Sequence, residues 1–286
     1  MTPTELPLEA DTGYRPQHTL PVRVELVRQL ERRRTQVTFG LVALLPVILW
    51  IAFSLADDGP PTGSLNLVDL AKGGATNFAV FALFAAVSFL LVVVVALFFG
   101  DTVASEASWS SLRYLLAAPI PRARLLRQKA IVAGLLSAAA ILLLPVVALL
   151  VGSLAYGTGN LVSPTGESLA FATGAGRVLL GAVYLAVYLS WVAALALLLS
   201  VSTDAPLGAV GGAVMVSIIS QILDQITALE DLRDYLPTHY ATAWSGLLAQ
   251  QIDWDGMTRG VFSSLSYALV LGALAVWRFH RKDITS

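Results

Sequence analysis

Long uncharged stretches alternate with short charged ones along this chain. No Asp, Glu, Lys or Arg occurs between Arg34 and Asp57, Lys72 and Asp101, Lys129 and Glu167, Arg177 and Asp204, Asp204 and Asp224, or Arg259 and Arg278. A bilayer crossing takes about 20 apolar residues in a helix. Inside hydrocarbon each backbone N–H and C=O must find its partner within the chain, so such runs are helical. The six windows predict spans at 37–56, 78–99, 130–151, 178–201, 207–223 and 260–277. Pro46 and Pro145 fall inside two of them and are candidate kink points.

The intervening segments have their own patterns. Over 22–36 the residues Val22, Leu26 and Leu30 recur at i, i+4, i+8, with Val27 beside them, and Arg23, Glu25, Arg28, Arg32 and Arg33 on the other faces. That pattern predicts an amphipathic helix on the membrane surface, or a basic anchor there. The turn at 202–206 is so short that the fourth and fifth spans must be antiparallel neighbours. The segment 225–258 mixes Glu230, Asp231 and Asp234 with Tyr235, Tyr240, Trp244 and several leucines. It predicts short interfacial helices forming an external cap that dips into the bilayer. Gly208 and Gly212 predict close helix packing.

Composition agrees: 56% of the 286 residues are apolar and 13% charged, against about 45–50% and 25% in soluble domains. The net charge of −1 gives no reason to expect a nucleic-acid partner. Cysteine is absent, which excludes disulfides and thiolate metal sites, and His18, His239 and His280 all lie outside the apolar windows. The small-residue run Ser54-Leu55-Ala56 resembles a cleavage site, but the preceding segment is too long for a signal peptide, so the first span is expected to be retained.

Arginine and lysine set the expected orientation. With both termini in the cytoplasm, fourteen of the eighteen basic residues are cytoplasmic, and Lys72, Arg177, Arg233 and Arg259 alone are external. The location expected is the plasma or inner membrane. Arg28, Arg32, Arg33 and Arg34, with Arg122, Arg124, Arg127 and Lys129, then become inner-surface anchors for lipid headgroups.

Catalytic motifs are missing. A phosphate-binding loop needs Gly-Lys followed by Ser or Thr, whereas Lys72, Lys129 and Lys282 precede Gly73, Ala130 and Asp283. Gly-x-Ser-x-Gly and His-Glu-x-x-His are also absent. The informative segment is the loop after the second window. Asp101 or Thr102 can cap a helix that Pro119 and Pro121 would stop. Within it Glu106, Ser110 and Arg113 stand at i, i+4, i+7 on one polar face turned toward the cytosol. By spacing alone this is an ordinary interfacial helix.

Glu106, Leu112, Arg113, Leu115, Leu116, Pro119, Arg122 and Lys129 follow the order of a loop found in ATP-binding-cassette permeases of the type-two, mainly exporting, class, and the chain resembles that family. Ser110 and Ser111 stand where Gly and Thr are usual. The Glu25 to Arg34 entry, the six windows and the basic end Phe279-His280-Arg281-Lys282 agree with the resemblance. Import permeases carry a Glu-Ala-Ala loop that Glu106-Ala107-Ser108 echoes, but Leu112 occupies the place of its glycine.

The resemblance implies an all-α integral membrane protein: residues 1–36 as tail and interfacial helix, a six-helix domain over 37–278, and a tail at 279–286. The 101–118 helix would couple to a separate cassette ATPase carrying ATP and magnesium, through Glu106, Ser110 and Arg113. No cofactor and no catalysis are expected on this chain, and a second permease chain is expected as partner. Two rivals remain. An ion-coupled transporter would need acids at mid-membrane or inverted repeats, and the sequence offers only Asp224 at the end of a window. A non-transporting scaffold would have only 225–258 with which to bind a partner.

Overall fold

The computed structural model describes residues 21–55, 67–108, 121–162 and 167–281. In chain order the helices are α1 (Val22–Leu30), α2 (Arg33–Leu55), α3 (Leu67–Lys72), α4 (Ala75–Val87), α5 (Leu90–Ser108), α6 (Arg122–Tyr156), α7 (Phe171–Tyr188), α8 (Ser190–Ser202), α9 (Pro206–Asp224) and α10 (Asp255–His280). A two-residue ribbon, β1 (Leu161–Val162) against β2 (Ser168–Leu169), lies between α6 and α7 and is antiparallel. Two 3₁₀ segments, Thr227–Tyr235 and Ala243–Leu248, fill the connection from α9 to α10.

The described parts of the first, third, fifth and sixth predicted spans each fall in one helix, and the fourth runs through α7 and α8 across Leu189. Among the described residues five helices are long and apolar enough to cross a membrane: Arg33–Leu55, Arg122–Tyr156, Phe171–Ser202, Pro206–Asp224 and Asp255–His280. The chain is a membrane-embedded helical protein. The second window is instead a broken pair, α4 and α5, bent by 55°. The bend falls at Ser88–Phe89, whereas Pro46 and Pro145 lie inside the unbroken α2 and α6. The boundaries also extend past the apolar windows. At 1.5 Å per residue the 35 residues of α6 run about 52 Å, well beyond a hydrocarbon core of about 30 Å, so its basic first turns project from it.

Two local expectations change. The amphipathic stretch is not one helix over 22–36. It breaks after Leu30, and α2 begins at Arg33. Nor does Asp101 or Thr102 start a new helix, because α5 continues unbroken through both to Ser108. Asp101 and Thr102 are themselves buried. Of the coupling helix expected at 101–118, the part from 109 onward, with Ser110 and Arg113, lies outside the described residues.

The core is built from Phe78, Leu83, Leu91, Ile141, Leu144, Leu185 and Trp191, contributed by α4 to α8. Helix α8 sits at the centre, packed against α5, α9 and α10. The antiparallel contact of α8 with α9 follows the short turn at 203–205, with Pro206 opening α9. Small residues Ala209, Ala213, Ser217 and Ser220 make the buried stripe of α9. A Cβ on Gly212 would approach Leu199 Cδ1 to 3.0 Å, and one on Gly100 would approach Val210 Cγ2 to 2.9 Å. These close approaches are how helices pack without a hydrophobic driving force between them.

Side chains complete the backbone where helices break or meet. Gln221 Nε2 donates to the Ser88 carbonyl at the bend, 2.8 Å. The Ser200 hydroxyl accepts from the Val103 and Ala104 amides, both at 3.0 Å. The Asn77 amide pairs with Val162 both ways at 2.9 Å, acting as a third strand position beside the ribbon. Each bond answers a group that hydrocarbon would leave unpaired.

The 225–254 connection packs on the bundle through its two 3₁₀ segments. Trp244 is fully buried against Phe84 and the face of Gly181. Tyr240 is half-buried, and its carbonyl accepts the Tyr184 hydroxyl at 2.8 Å. Tyr235 is exposed, and its backbone carbonyl accepts the Tyr267 hydroxyl. Gly260 of α10 lies under Tyr184 and Tyr240, where an added Cβ would collide with the Tyr184 hydroxyl and come within 2.7 Å of Tyr240 Cβ. Gly260→Ala is therefore expected to destabilise by about 1–3 kcal/mol, the usual range for overpacking. Thermal unfolding in detergent would measure this against Gly211→Ala, which meets nothing within 4 Å and should be neutral or slightly stabilising. Equal midpoints for the two variants would contradict the packing described.

Candidate functional site

At one end of the bundle four helices bring their charges together. Helix α1, its junction with α2, the last turns of α5 and the first turns of α6 meet there. Glu25, Asp101, Glu106 and Lys129 are only 1–7% exposed. Glu106 Oε1 accepts from Lys129 Nζ at 3.0 Å and from Arg28 Nη2 at 3.0 Å. Glu25 Oε1 accepts from Arg28 Nη2 at 2.8 Å and Gln29 Nε2 at 3.0 Å, with Lys129 Nζ 3.5 Å away. Asp101 takes a close contact from Arg34 Nη1, and Arg32 stands 3.7 Å from Asp101 and 3.8 Å from Glu106.

Burial would raise the Glu25 carboxyl. The charge of Lys129, aided by hydrogen bonds from Arg28 and Gln29, outweighs it and holds the group below its ordinary value of 4.5. Burial likewise opposes the charge on Arg28, yet the Glu25 carboxylate raises that guanidinium. The cluster is thus fully ionised at neutral pH at its α1 edge.

The sequence-derived anchors divide accordingly. Lys129, expected at the headgroups, is instead buried, because two carboxylates from α1 and α5 surround its ammonium. Arg28, Arg32 and Arg34 keep part of their surface exposed but turn their guanidinium groups onto carboxylates. Arg33 and Arg127 are exposed, Arg122 and Arg124 half-buried, and Arg122 Nη1 donates to the His280 carbonyl at 3.1 Å. Glu106, expected on a face open to the cytosol, is buried among Arg28 and Lys129. Glu25 and Asp101 were not legible as site residues. Glu25 lies on the face of α1 shared by Val22 and Leu26, which both pack on the core, while Val24, Val27 and Leu30 are exposed.

The far end of the bundle is held differently. Arg177 donates to the carbonyls of Leu247, Ala249 and Gln250, and Glu167 accepts the Gln250 amide at 2.8 Å. His239 bridges Asp224 at 2.6 Å and Asp234 at 3.3 Å through its two ring nitrogens. Facing different nitrogens, those carboxylates do not converge on a metal position. Among the described residues no group of His, Asp and Glu is arranged to hold a metal ion.

A scan of known families matches residues 51–285 to DUF2705, described as a protein of unknown function. The chain belongs to the DUF2705 family. The match takes in Asp101, Glu106 and Lys129, while Glu25, Arg28, Arg32 and Arg34 precede it. A search of curated proteins finds no match. The family description assigns no chemistry, so the cluster's role rests on its geometry.

That geometry is a clasp. Removing one partner of a buried ion pair costs about 3–5 kcal/mol, because the remaining charge stays desolvated. Lys129→Met should therefore destabilise by about that amount, and the double variant Lys129→Met/Glu106→Gln by less than the sum of the two single changes. Unfolding in detergent measures both, and strict additivity would show that the two side chains do not interact. A depressed carboxyl stabilises the fold above its unfolded value and loses that contribution as pH falls through its folded value. The stability difference between the native chain and Glu25→Gln should accordingly hold from pH 7 to 5 and shrink below 4.5. A difference that grew on acidification would refute the sign.

Proposed function

We propose that this chain is the membrane-spanning permease subunit of an ATP-binding-cassette transporter, exporting a hydrophobic or amphipathic substrate with ATP hydrolysed on a separate subunit. The α4–α5 pair then serves as the second of six spans. Both termini and the 100–129 loop face the cytosol, as the basic residues favour.

One observation carries the proposal. Glu106 and Lys129 flank the loop that resembles the coupling loop, and they are bonded to each other at 3.0 Å, with Arg28 of α1 on the same carboxylate. The two stems of the loop are thereby tied to each other and to the entry of the first span. A push on the loop by an ATPase would move α1, α5 and α6 as one body instead of flexing the loop alone. Glu106 acts in this scheme from inside, as the tie, and Arg113 is the side chain offered to the ATPase. A bidentate guanidinium gives such a contact geometric selectivity that lysine lacks. The second permease chain completes the pathway as a homodimer or heterodimer.

Arg113→Ala and Arg113→Lys should leave membrane insertion intact and reduce copurification of the cognate ATPase, or ATP-driven transport in vesicles, by about tenfold. The Glu106/Arg113 double alanine variant should lose coupling altogether, and full activity in it would sink the proposal. Orientation has its own check in this cysteine-free chain. Single cysteines labelled by an impermeant reagent on whole cells should react at Thr62 and not at Arg122; the opposite pattern inverts the topology.

A further inference from the structure

The clasp has an open side. Arg28, Arg32 and Arg34 line a cleft of about 610 Å³ together with their partners Asp101 and Glu106, Ser105, and Pro206 at the start of α9. Their side chains are 45%, 32% and 35% exposed. They are also incompletely used. Arg34 Nε is buried and has no hydrogen-bond partner. Arg32 stands 3.7 and 3.8 Å from its carboxylates, beyond hydrogen-bond length. Among the described ion pairs of the cluster, the four cations Arg28, Arg32, Arg34 and Lys129 outnumber the three carboxylates Glu25, Asp101 and Glu106 by one.

An apolar track starts at the same place. Beginning one turn after Arg34, the residues Val37, Leu41, Leu44, Ile48, Ile51 and Leu55 are each 44–78% exposed. Their spacing of three and four residues puts them on one face of α2. The opposite face, with Thr35, Thr38, Val42, Pro46 and Phe53, is the buried one. From Arg34 to Ile51 the stripe runs about 25 Å at the rise of an α-helix.

A ligand that satisfies both features has one negative charge, oxygens that accept from guanidinium forks, and a long apolar chain. We propose that the Arg28–Arg32–Arg34 cleft binds the phosphodiester headgroup of an anionic glycerophospholipid, with an acyl chain along the α2 stripe. Arg32 is the residue freest to turn toward the phosphate, since its internal pairs are the longest. Guanidinium groups bind phosphate oxygens bidentately and with charge assistance. A zwitterionic phosphatidylcholine presents the same phosphate, but its choline cation leaves it no net charge to set against the cluster's extra cation. The inference rests on membrane embedding and holds whether or not the chain couples to an ATPase.

The test uses the full chain, delipidated in detergent, with bound lipids counted by native mass spectrometry. Dioleoyl phosphatidylglycerol should bind about tenfold more tightly than dioleoyl phosphatidylcholine, the size of one charge-assisted contact. Arg32→Gln should bring the ratio close to one. Arg33→Gln, the same charge change at an exposed neighbour, should leave it. Equal losses in the two variants would mean diffuse attraction to a basic surface and overturn the site, as would equal binding of the two lipids by the native chain. Inorganic phosphate tested at millimolar concentration should compete only weakly, and full displacement of the lipid by it would assign the cleft to a free anion. Leu41→Ser is exposed and clear of the ion pairs, so it keeps the test valid if Arg32→Gln fails to fold. It should weaken phosphatidylglycerol binding several-fold, and unchanged binding would remove the acyl path.

Discussion

Hydrocarbon offers no hydrogen-bond partner, and that constraint governs several of the places where the described helices break or meet. Where α4 gives way to α5, the Ser88 carbonyl takes the side chain of Gln221 from α9. Where α5 passes α8, the Ser200 hydroxyl receives two adjacent amides. Where the ribbon leaves an edge, Asn77 supplies a peptide-like amide. Gln221, Ser200 and Asn77 thus each answer a backbone group of another element and fix its register. The 55° bend is held by a neighbouring helix and not by a proline.

The ion cluster applies the same rule to charge. A buried ammonium or carboxylate is tolerated only when paired and hydrogen-bonded. Lys129 and Glu106 meet that condition through each other and through α1. Pairs of this kind add little net stability compared with apolar packing, but they specify one arrangement, because any other leaves a desolvated charge. That property fixes α1, α5 and α6 in one arrangement relative to each other. Among its described ion pairs the cluster has one cation more than carboxylates, a charge that an anionic headgroup can offset.

The two ends of the bundle are fastened by different means. The clasp end uses ion pairs among four helices and leaves a cleft between arginines. The opposite end uses an aromatic plug, Trp244 beneath Phe84 and beside Gly181, with Arg177 gathering three carbonyls of the connection. An apolar plug closes a surface against lipid or water, whereas an ionic joint sets the direction in which its helices meet.

Much of the fold was legible in the chain itself. Uncharged windows near twenty residues located the helices, because bilayer thickness and the helical rise set that length and backbone satisfaction sets the conformation. The short turn before Pro206 and the aromatic connection before α10 were legible for the same local reasons. The partners of individual charges were not. Glu25 has the spacing of a solvated face and is buried, since helical period says which residues share a face but not what that face meets. Asp101 has the composition of a cap and lies within a continuous helix, because propensity yields to packing. Lys129 has the setting of a surface anchor and becomes the centre of the cluster, since only the meeting of α1, α5 and α6 brings Glu25 and Glu106 to it. Period and composition are local and belong to the sequence; which charges neutralise one another depends on distances across the chain, and the tertiary structure alone decided those.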